Sequence, residues 1–209
     1  MLSSDLSNLL DESNRIIKSG VDWLHIDIMD GHFVENLTFG IPIIKSLRKH
    51  CNHYLDVHLM VTDPLKWIER LAEIGVNSVT FHIESCITQN DANIIIKFCK
   101  LHKLKVGVAI KPETSINEIM FLINDIDFVL VMTVEPGYSG QKFIHKCLEK
   151  ISDLRKISPI DIQVDGGINL ETLPLCLNSG ANIIVSGSTI FNSKEPELLI
   201  KNMRDLTHV

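Results

Sequence analysis

Seven short apolar, β-branched runs recur along this chain, at 23–29, 54–60, 78–82, 105–110, 128–133, 161–165 and 183–186, and helix-period segments separate them. Parallel strands need a crossover of about a dozen residues or more, so this alternation confines the chain to a parallel sheet covered by helices. Amphipathic stretches at 6–18, 64–74, 91–102, 115–123, 142–157, 170–178 and 195–206 supply the crossovers. Several end at a helix-stop glycine, namely Gly20, Gly75 and Gly180, and a Gly-Val/Ala-Asp/Asn tripeptide leads from each into the next strand. Seven strands are one short of a (β/α)8 barrel, and an open doubly wound sheet is the competing architecture. The polar clusters described below fall at the ends of strands spread along the chain, and a closed barrel gathers such ends around one mouth. The expectation is α/β, a (β/α)8 barrel forming a single domain over residues 1–209.

Bulk properties narrow the function. A net charge of -6 argues against a nucleic-acid partner, which calls for a basic stripe. An anionic substrate must then be held by local dipoles rather than by the global field. The five cysteines, Cys51, Cys86, Cys99, Cys147 and Cys176, are odd in number and form no Cys-x-x-Cys pair, which favours reduced thiols and a cytoplasmic location. The apolar runs are strand-sized and no signal segment opens the chain, so no membrane partner is expected.

The chemistry lies in the alternation within strands. Successive strand side chains face opposite ways, so His25, Asp27 and Met29 share one face while Leu24, Ile26 and Ile28 share the other. Asp56, His58 and Met60 repeat the arrangement on the next strand, and Asp165 closes a later one. Imidazole and carboxylate donors together suit one divalent transition metal, Zn, Fe, Mn or Co. Gly166-Gly167 and Gly187-Ser188 read as backbone nests for a phosphate, at the place where barrels hold one after their last two strands. The segment Gly137-Tyr138-Ser139-Gly140 could close over it. Asp56 could orient a ligand imidazole, and His82, Glu84 and Lys111 suit a supporting or packing role. Asp22 and Asp30 read as solvated or capping groups, and His32, His50, His53, His102, His145 and His208 as surface residues. Together these features point to metal-assisted proton abstraction from a sugar phosphate.

In these motifs the chain resembles the ribulose-phosphate 3-epimerase family. The likeness runs through Leu2-Ser3-Ser4-Asp5, His25-Ile26-Asp27-Ile28-Met29-Asp30-Gly31-His32-Phe33-Val34, Asn36-Leu37-Thr38-Phe39-Gly40, Asp56-Val57-His58-Leu59-Met60-Val61, Val131-Met132-Thr133-Val134-Glu135-Pro136-Gly137, Val164-Asp165-Gly166-Gly167 and Ser186-Gly187-Ser188. The resemblance implies a TIM barrel that interconverts D-ribulose 5-phosphate and D-xylulose 5-phosphate in the pentose phosphate pathway. It implies metal binding by His25, Asp27, His58 and Asp165, and a catalytic acid/base pair in Asp27 and Asp165. Substrate or phosphate contacts fall to His58, Gly137, Tyr138, Ser139, Gly140, Gly166, Gly167, Gly187 and Ser188, with Met29, Met60 and Met132 around the reacting centre. A homodimer or higher homo-oligomer is expected. Family members usually read Ala-Pro-Ser-Ile before the segment matching Leu2-Ser3-Ser4-Asp5, whereas Met1 stands at that Ile position, so the first strand is expected to be truncated. Ser139 replaces a usual glycine and fits only if its φ is negative.

Two alternatives share these motifs: an epimerase for a six-carbon ketose 6-phosphate, and a phosphosugar-binding barrel with impaired catalysis. A related decarboxylase or aldolase would want Asp-x-Lys-x-x-Asp, but His58 stands at the Lys position and Val61 at the second Asp.

Overall fold

The structure, a computed structural model, describes residues 1–206; His208 lies outside them. Seven strands form one parallel sheet in chain order: β1 (Trp23–Met29), β2 (Tyr54–Met60), β3 (Ser78–His82), β4 (Lys105–Ile110), β5 (Phe128–Met132), β6 (Asp161–Asp165) and β7 (Ile183–Val185). The helices are α1 (Leu9–Lys18), α2 (Ile41–Arg48), α3 (Leu65–Ile74), α4 (Gln89–Leu101), α5 (Cys147–Ile157), α6 (Leu173–Ser179), α7 (Ser188–Phe191) and α8 (Pro196–Asp205). Gly75 and Gly180 close α3 and α6 in left-handed conformation, the role their sequence positions suggest. The crossover at 115–123 is a 3₁₀ helix over Ile116–Leu122 rather than an α-helix. The stretch at 142–157 becomes helical only from Cys147, because Ile144 is drawn back to the sheet by its N–H bond to the Thr133 carbonyl.

Strand alternation divides the core into two regions. Leu24, Ile26, Leu55, Val57, Val79, Phe81, Val106, Val129 and Val164 point outward and pack against the helices as one buried apolar layer. The inward side chains stack in tiers. At the base, Trp23 and Tyr54 stack at a centroid distance of 4.5 Å and Phe128 tilts against Trp23. Gly107 makes room there, since a Cβ on it would collide with the Phe128 ring. Above this apolar floor the tiers turn polar, which places the unusual chemistry at the C-terminal ends of the strands.

The free edges of β1 and β7 face each other across a cavity of about 540 Å³, lined from Trp23, Ile183 and Met203 up to Asp27, Asp165 and Gly187. At the mouth, the Met1 amino group donates to the His25 carbonyl on the β1 edge. No helix among the described residues is long and apolar enough to cross a membrane.

Candidate active site

The pairing of β1 with β2 sets His25 beside Asp56, Asp27 beside His58 and Met29 beside Met60. That register builds the centre. His25 Nε2 lies 3.4 Å from Asp27 Oδ1 and 3.6 Å from Asp165 Oδ2, and His58 Nδ1 lies 3.4 Å and 3.8 Å from the same two oxygens. All four ligand atoms fall within 4.8 Å of one another. A tetrahedral site with bonds of about 2.1 Å has edges of about 3.4 Å, close to these four separations, so the donor set and its spacing suit a divalent transition metal. Both imidazole nitrogens aimed into the cluster, His25 Nε2 and His58 Nδ1, are buried and make no hydrogen bond within the protein. Buried polar atoms rarely stay unpaired, and a cation satisfies both.

Each ring is held from behind. His25 Nδ1 contacts Asp56 Oδ2 at 2.8 Å, and the same carboxylate accepts bonds from the Ser78 hydroxyl (2.6 Å) and the Gln163 amide (2.8 Å). The carboxylate suggested as an orienting group thus serves His25, its neighbour across the strand pair. Behind His58 lies His82, with Nε2 to Nε2 at 2.8 Å, and His82 Nδ1 meets Glu84 Oε2 at 3.1 Å.

The electrostatics separate the two carboxylates. Burial raises Asp165, the charge of Asp27 adds to the effect, and His25 opposes it; the carboxyl settles at about 6. Burial also opposes ionisation of Asp27, but His25 and His58 beside it prevail and hold it well below the usual carboxylate range. Burial opposes protonation of His25, yet Asp27 and Asp56 outweigh it and raise that imidazole well above its ordinary value. Burial lowers His58 and takes His82 down to about 4, so both rings are uncharged at neutral pH. Glu84, despite its own burial, is held at about 2 by His82, the Lys111 N–H and the Thr114 hydroxyl.

Around the mouth, Met29, Met60 and Met132 line the cavity with Gly137, Tyr138, Ser139, Gly140, Gly166, Gly167, Gly187 and Ser188. Only His58 of the expected contact residues is missing from this lining. Its ring is buried, with Nδ1 facing the cluster. The loop after β5 is braced by Gln141, whose amide donates to the carbonyls of Glu135 and Tyr138, and by Asn36, which donates to the Gly137 carbonyl. Ser139 has no positive φ, so its side chain costs no backbone strain. Asp30 proves to be a cap, accepting the N–H groups of His32, Phe33 and Thr62. His53 is not a free surface residue: its Nε2 bonds the Val21 carbonyl.

A family model described as the Ribulose-phosphate 3 epimerase family matches residues 1–191. The cytoplasmic isoform of ribulose-phosphate 3-epimerase from Oryza sativa subsp. japonica is 48% identical over 208 residues, covering 98% of this chain and 90% of that protein. The chain belongs to the ribulose-phosphate 3-epimerase family. Ribulose-phosphate 3-epimerase from Bacillus subtilis is 38% identical, covering 98% of this chain and 95% of its own. Among solved structures, 3-hexulose-6-phosphate synthase from Salmonella typhimurium superposes with a TM-score of 0.74 at 18% identity, over 98% of this chain and 95% of that one. Thiamine phosphate pyrophosphorylase from Pyrococcus furiosus gives 0.67 at 16%, over 97% and 91%. These two establish the barrel and nothing about its substrate. Within this epimerase-family centre, Ser78 and Gln163 escaped the sequence reading. Their signal was present as polar residues on inward strand positions, Gln163 two residues before Asp165 on the same face.

Proposed function

We infer that this chain epimerises D-ribulose 5-phosphate to D-xylulose 5-phosphate at C3, in the pentose phosphate pathway, by proton transfer between Asp27 and Asp165. The observation that carries this reading is the pair of carboxylates on β1 and β6, meeting at one cluster with their proton affinities driven apart. Paired groups separated in this way take the roles of base and acid. Asp27, ionised, removes the C3 proton α to the C2 ketone; Asp165, protonated, returns one to the other face. The reverse reaction exchanges the roles, so the pair works with one proton between them. A divalent transition metal held by His25, Asp27, His58 and Asp165 supplies Lewis-acid stabilisation of negative charge on the substrate oxygens, worth several kcal/mol. Met29, Met60 and Met132 surround the planar carbon skeleton with polarisable groups that carry no exchangeable proton. The five cysteines, all free and four of them buried, support a cytoplasmic location, as does the cytoplasmic rice relative. The direct test compares turnover of D-ribulose 5-phosphate with that of a six-carbon ketose 6-phosphate by metal-replete protein. Preference for the pentulose is expected; faster six-carbon turnover, or binding with no turnover, overturns the assignment.

The phosphate is assigned to the backbone amides at Gly166, Gly167, Gly187 and Ser188, with Gly137, Tyr138, Ser139 and Gly140 over it. Gly166 and Gly167 have φ of 119° and 67°, and a Cβ on them would overlap Val134 and the Phe143 backbone, so substitution there perturbs folding. Gly187 is the cleaner probe, because the nearest atom to an added Cβ is the Ser3 hydroxyl, a movable side chain, at 2.8 Å. Gly187→Val is expected to raise KM about 10- to 100-fold, the worth of one charge-assisted hydrogen bond, with kcat less affected. Steady-state kinetics check it, and an unchanged KM removes Gly187 from the phosphate site.

Metal uptake is expected to release protons, because ligands must lose theirs to bind. At pH 7 the raised His25 carries a proton that the metal displaces. Apparent affinity should therefore climb about tenfold per pH unit near neutrality. Calorimetry in buffers of different ionisation enthalpy counts the protons, and no proton release at pH 7 contradicts the assignment of His25 as a ligand.

A further inference from the structure

Two rings of the centre present different nitrogens to it, His25 its Nε2 and His58 its Nδ1. For His25 the Asp56 carboxylate explains the choice by accepting a hydrogen bond from Nδ1–H. The rear of His58 meets another imidazole, which can donate or accept, so something further must decide which nitrogen of His58 keeps its lone pair.

We propose that His82 and Glu84 are positioning residues that hold the His58 proton on Nε2 and thereby keep Nδ1 open as a metal ligand. The inference rests on the metal reading of the centre. The Glu84 Oε1 accepts the Lys111 N–H at 2.7 Å and the Thr114 hydroxyl, and Oε2 faces His82 Nδ1. A carboxylate is acceptor-only, so His82 carries its proton on Nδ1 and presents a lone pair at Nε2. Across 2.8 Å, His58 Nε2 must then be the donor, which strips Nδ1 of hydrogen. Both rings are fully out of solvent, and no water can repair a mismatch in this row of bonds. The direction of every hydrogen bond from the Lys111 backbone to the centre is thus set by one carboxylate, about two side chains away from the metal. The outer partners of metal-bound imidazoles commonly set ring tautomer in this way.

Two substitutions separate polarity from shape. In Glu84→Gln the amide oxygen stays with the Lys111 N–H, so the NH2 faces His82 Nδ1 and reverses the row, putting a proton on His58 Nδ1. In His82→Gln the side chain can accept from His58 Nε2 and donate to Glu84, preserving the direction without the ring. Zinc affinity by chelator competition is expected to fall about 10- to 100-fold in Glu84→Gln and to stay within a few-fold of wild type in His82→Gln, whereas His82→Leu falls like Glu84→Gln. Nitrogen-15 spectra of the metal-free wild-type protein are expected to show His58 protonated on Nε2 and His82 on Nδ1. A metal-free His58 protonated on Nδ1, or Glu84→Gln binding zinc as wild type does, overturns the proposal. Failure of the wild-type protein to bind zinc would instead overturn the metal reading, while the ring spectra still decide how His58 is set.

Discussion

Asp165→Asn is expected to slow epimerisation by at least the 10²- to 10⁴-fold that one general acid/base contributes, while leaving C3 proton exchange from one epimer alive. The substitution preserves shape and hydrogen-bonding size but removes the group that delivers a proton to the second face. Asp27 remains, held ionised by His25 and His58, so it can still take the C3 proton of D-ribulose 5-phosphate and return it after exchange with solvent. The signature is therefore a split: deuterium from D2O enters recovered ribulose 5-phosphate, and xylulose 5-phosphate does not form. Asp27→Asn should show the mirror image, with exchange confined to xylulose 5-phosphate. Because both carboxylates also face the cluster that fits a metal, metal content is measured in the same samples. Epimerisation at the wild-type rate by a metal-replete Asp165→Asn protein overturns the two-base scheme.

The strands were nearly fully legible in the sequence, and the reason is physical: a strand buried on its outer face writes a period of two that no helix imitates. Five of the seven expected spans coincide with the observed ones; only 128–133 and 183–186 stop one residue sooner, at Met132 and Val185. Helices were less legible where local signals mislead. The expected helical stretches leave out α2, whose N-cap is Gly40 and whose first turn holds Pro42, a position where proline is accepted because an N–H there would have no helical partner. Phe143 and Ile144 read as helix because they are apolar, but they pack as loop, Phe143 backing Gly167 and Ile144 tied to Thr133. The convergence of His25, Asp27, His58 and Asp165 was legible because each carries its own side-chain chemistry. What lies behind it was not, since that depends on register: Asp56 sits two residues from His58 in sequence but serves His25 across the pairing, and His58 reaches His82 on β3. For Tyr54, Ser78 and Gln163, polar and inward, strand parity was the only signal, and their partners emerged once the tiers were assembled.

His58→Ala should lose metal and activity together. The ring offers Nδ1 to the cluster and is otherwise sealed from solvent, so its removal deletes a ligand while leaving both proton-transfer carboxylates in place, with His25 still beside Asp27 to hold it ionised. Loss of several kcal/mol of charge stabilisation corresponds to about 10²- to 10³-fold in kcat/KM at ordinary metal concentrations. Excess metal should restore part of that rate, because His25, Asp27 and Asp165 still converge. The vacated space also strands His82 Nε2, whose partner at 2.8 Å is gone, and leaves a cavity in a packed tier, so the metal-free variant should melt lower by the equivalent of about 2–4 kcal/mol. The two effects are separable by melting with and without zinc. Wild-type protein gains stability with the logarithm of its zinc affinity, and His58→Ala should gain less at the same free zinc concentration. A variant that is merely loosened would melt lower in both conditions while keeping the full zinc increment. That outcome, or full metal occupancy with wild-type turnover, removes His58 from the ligand set and leaves its buried Nδ1 requiring another explanation.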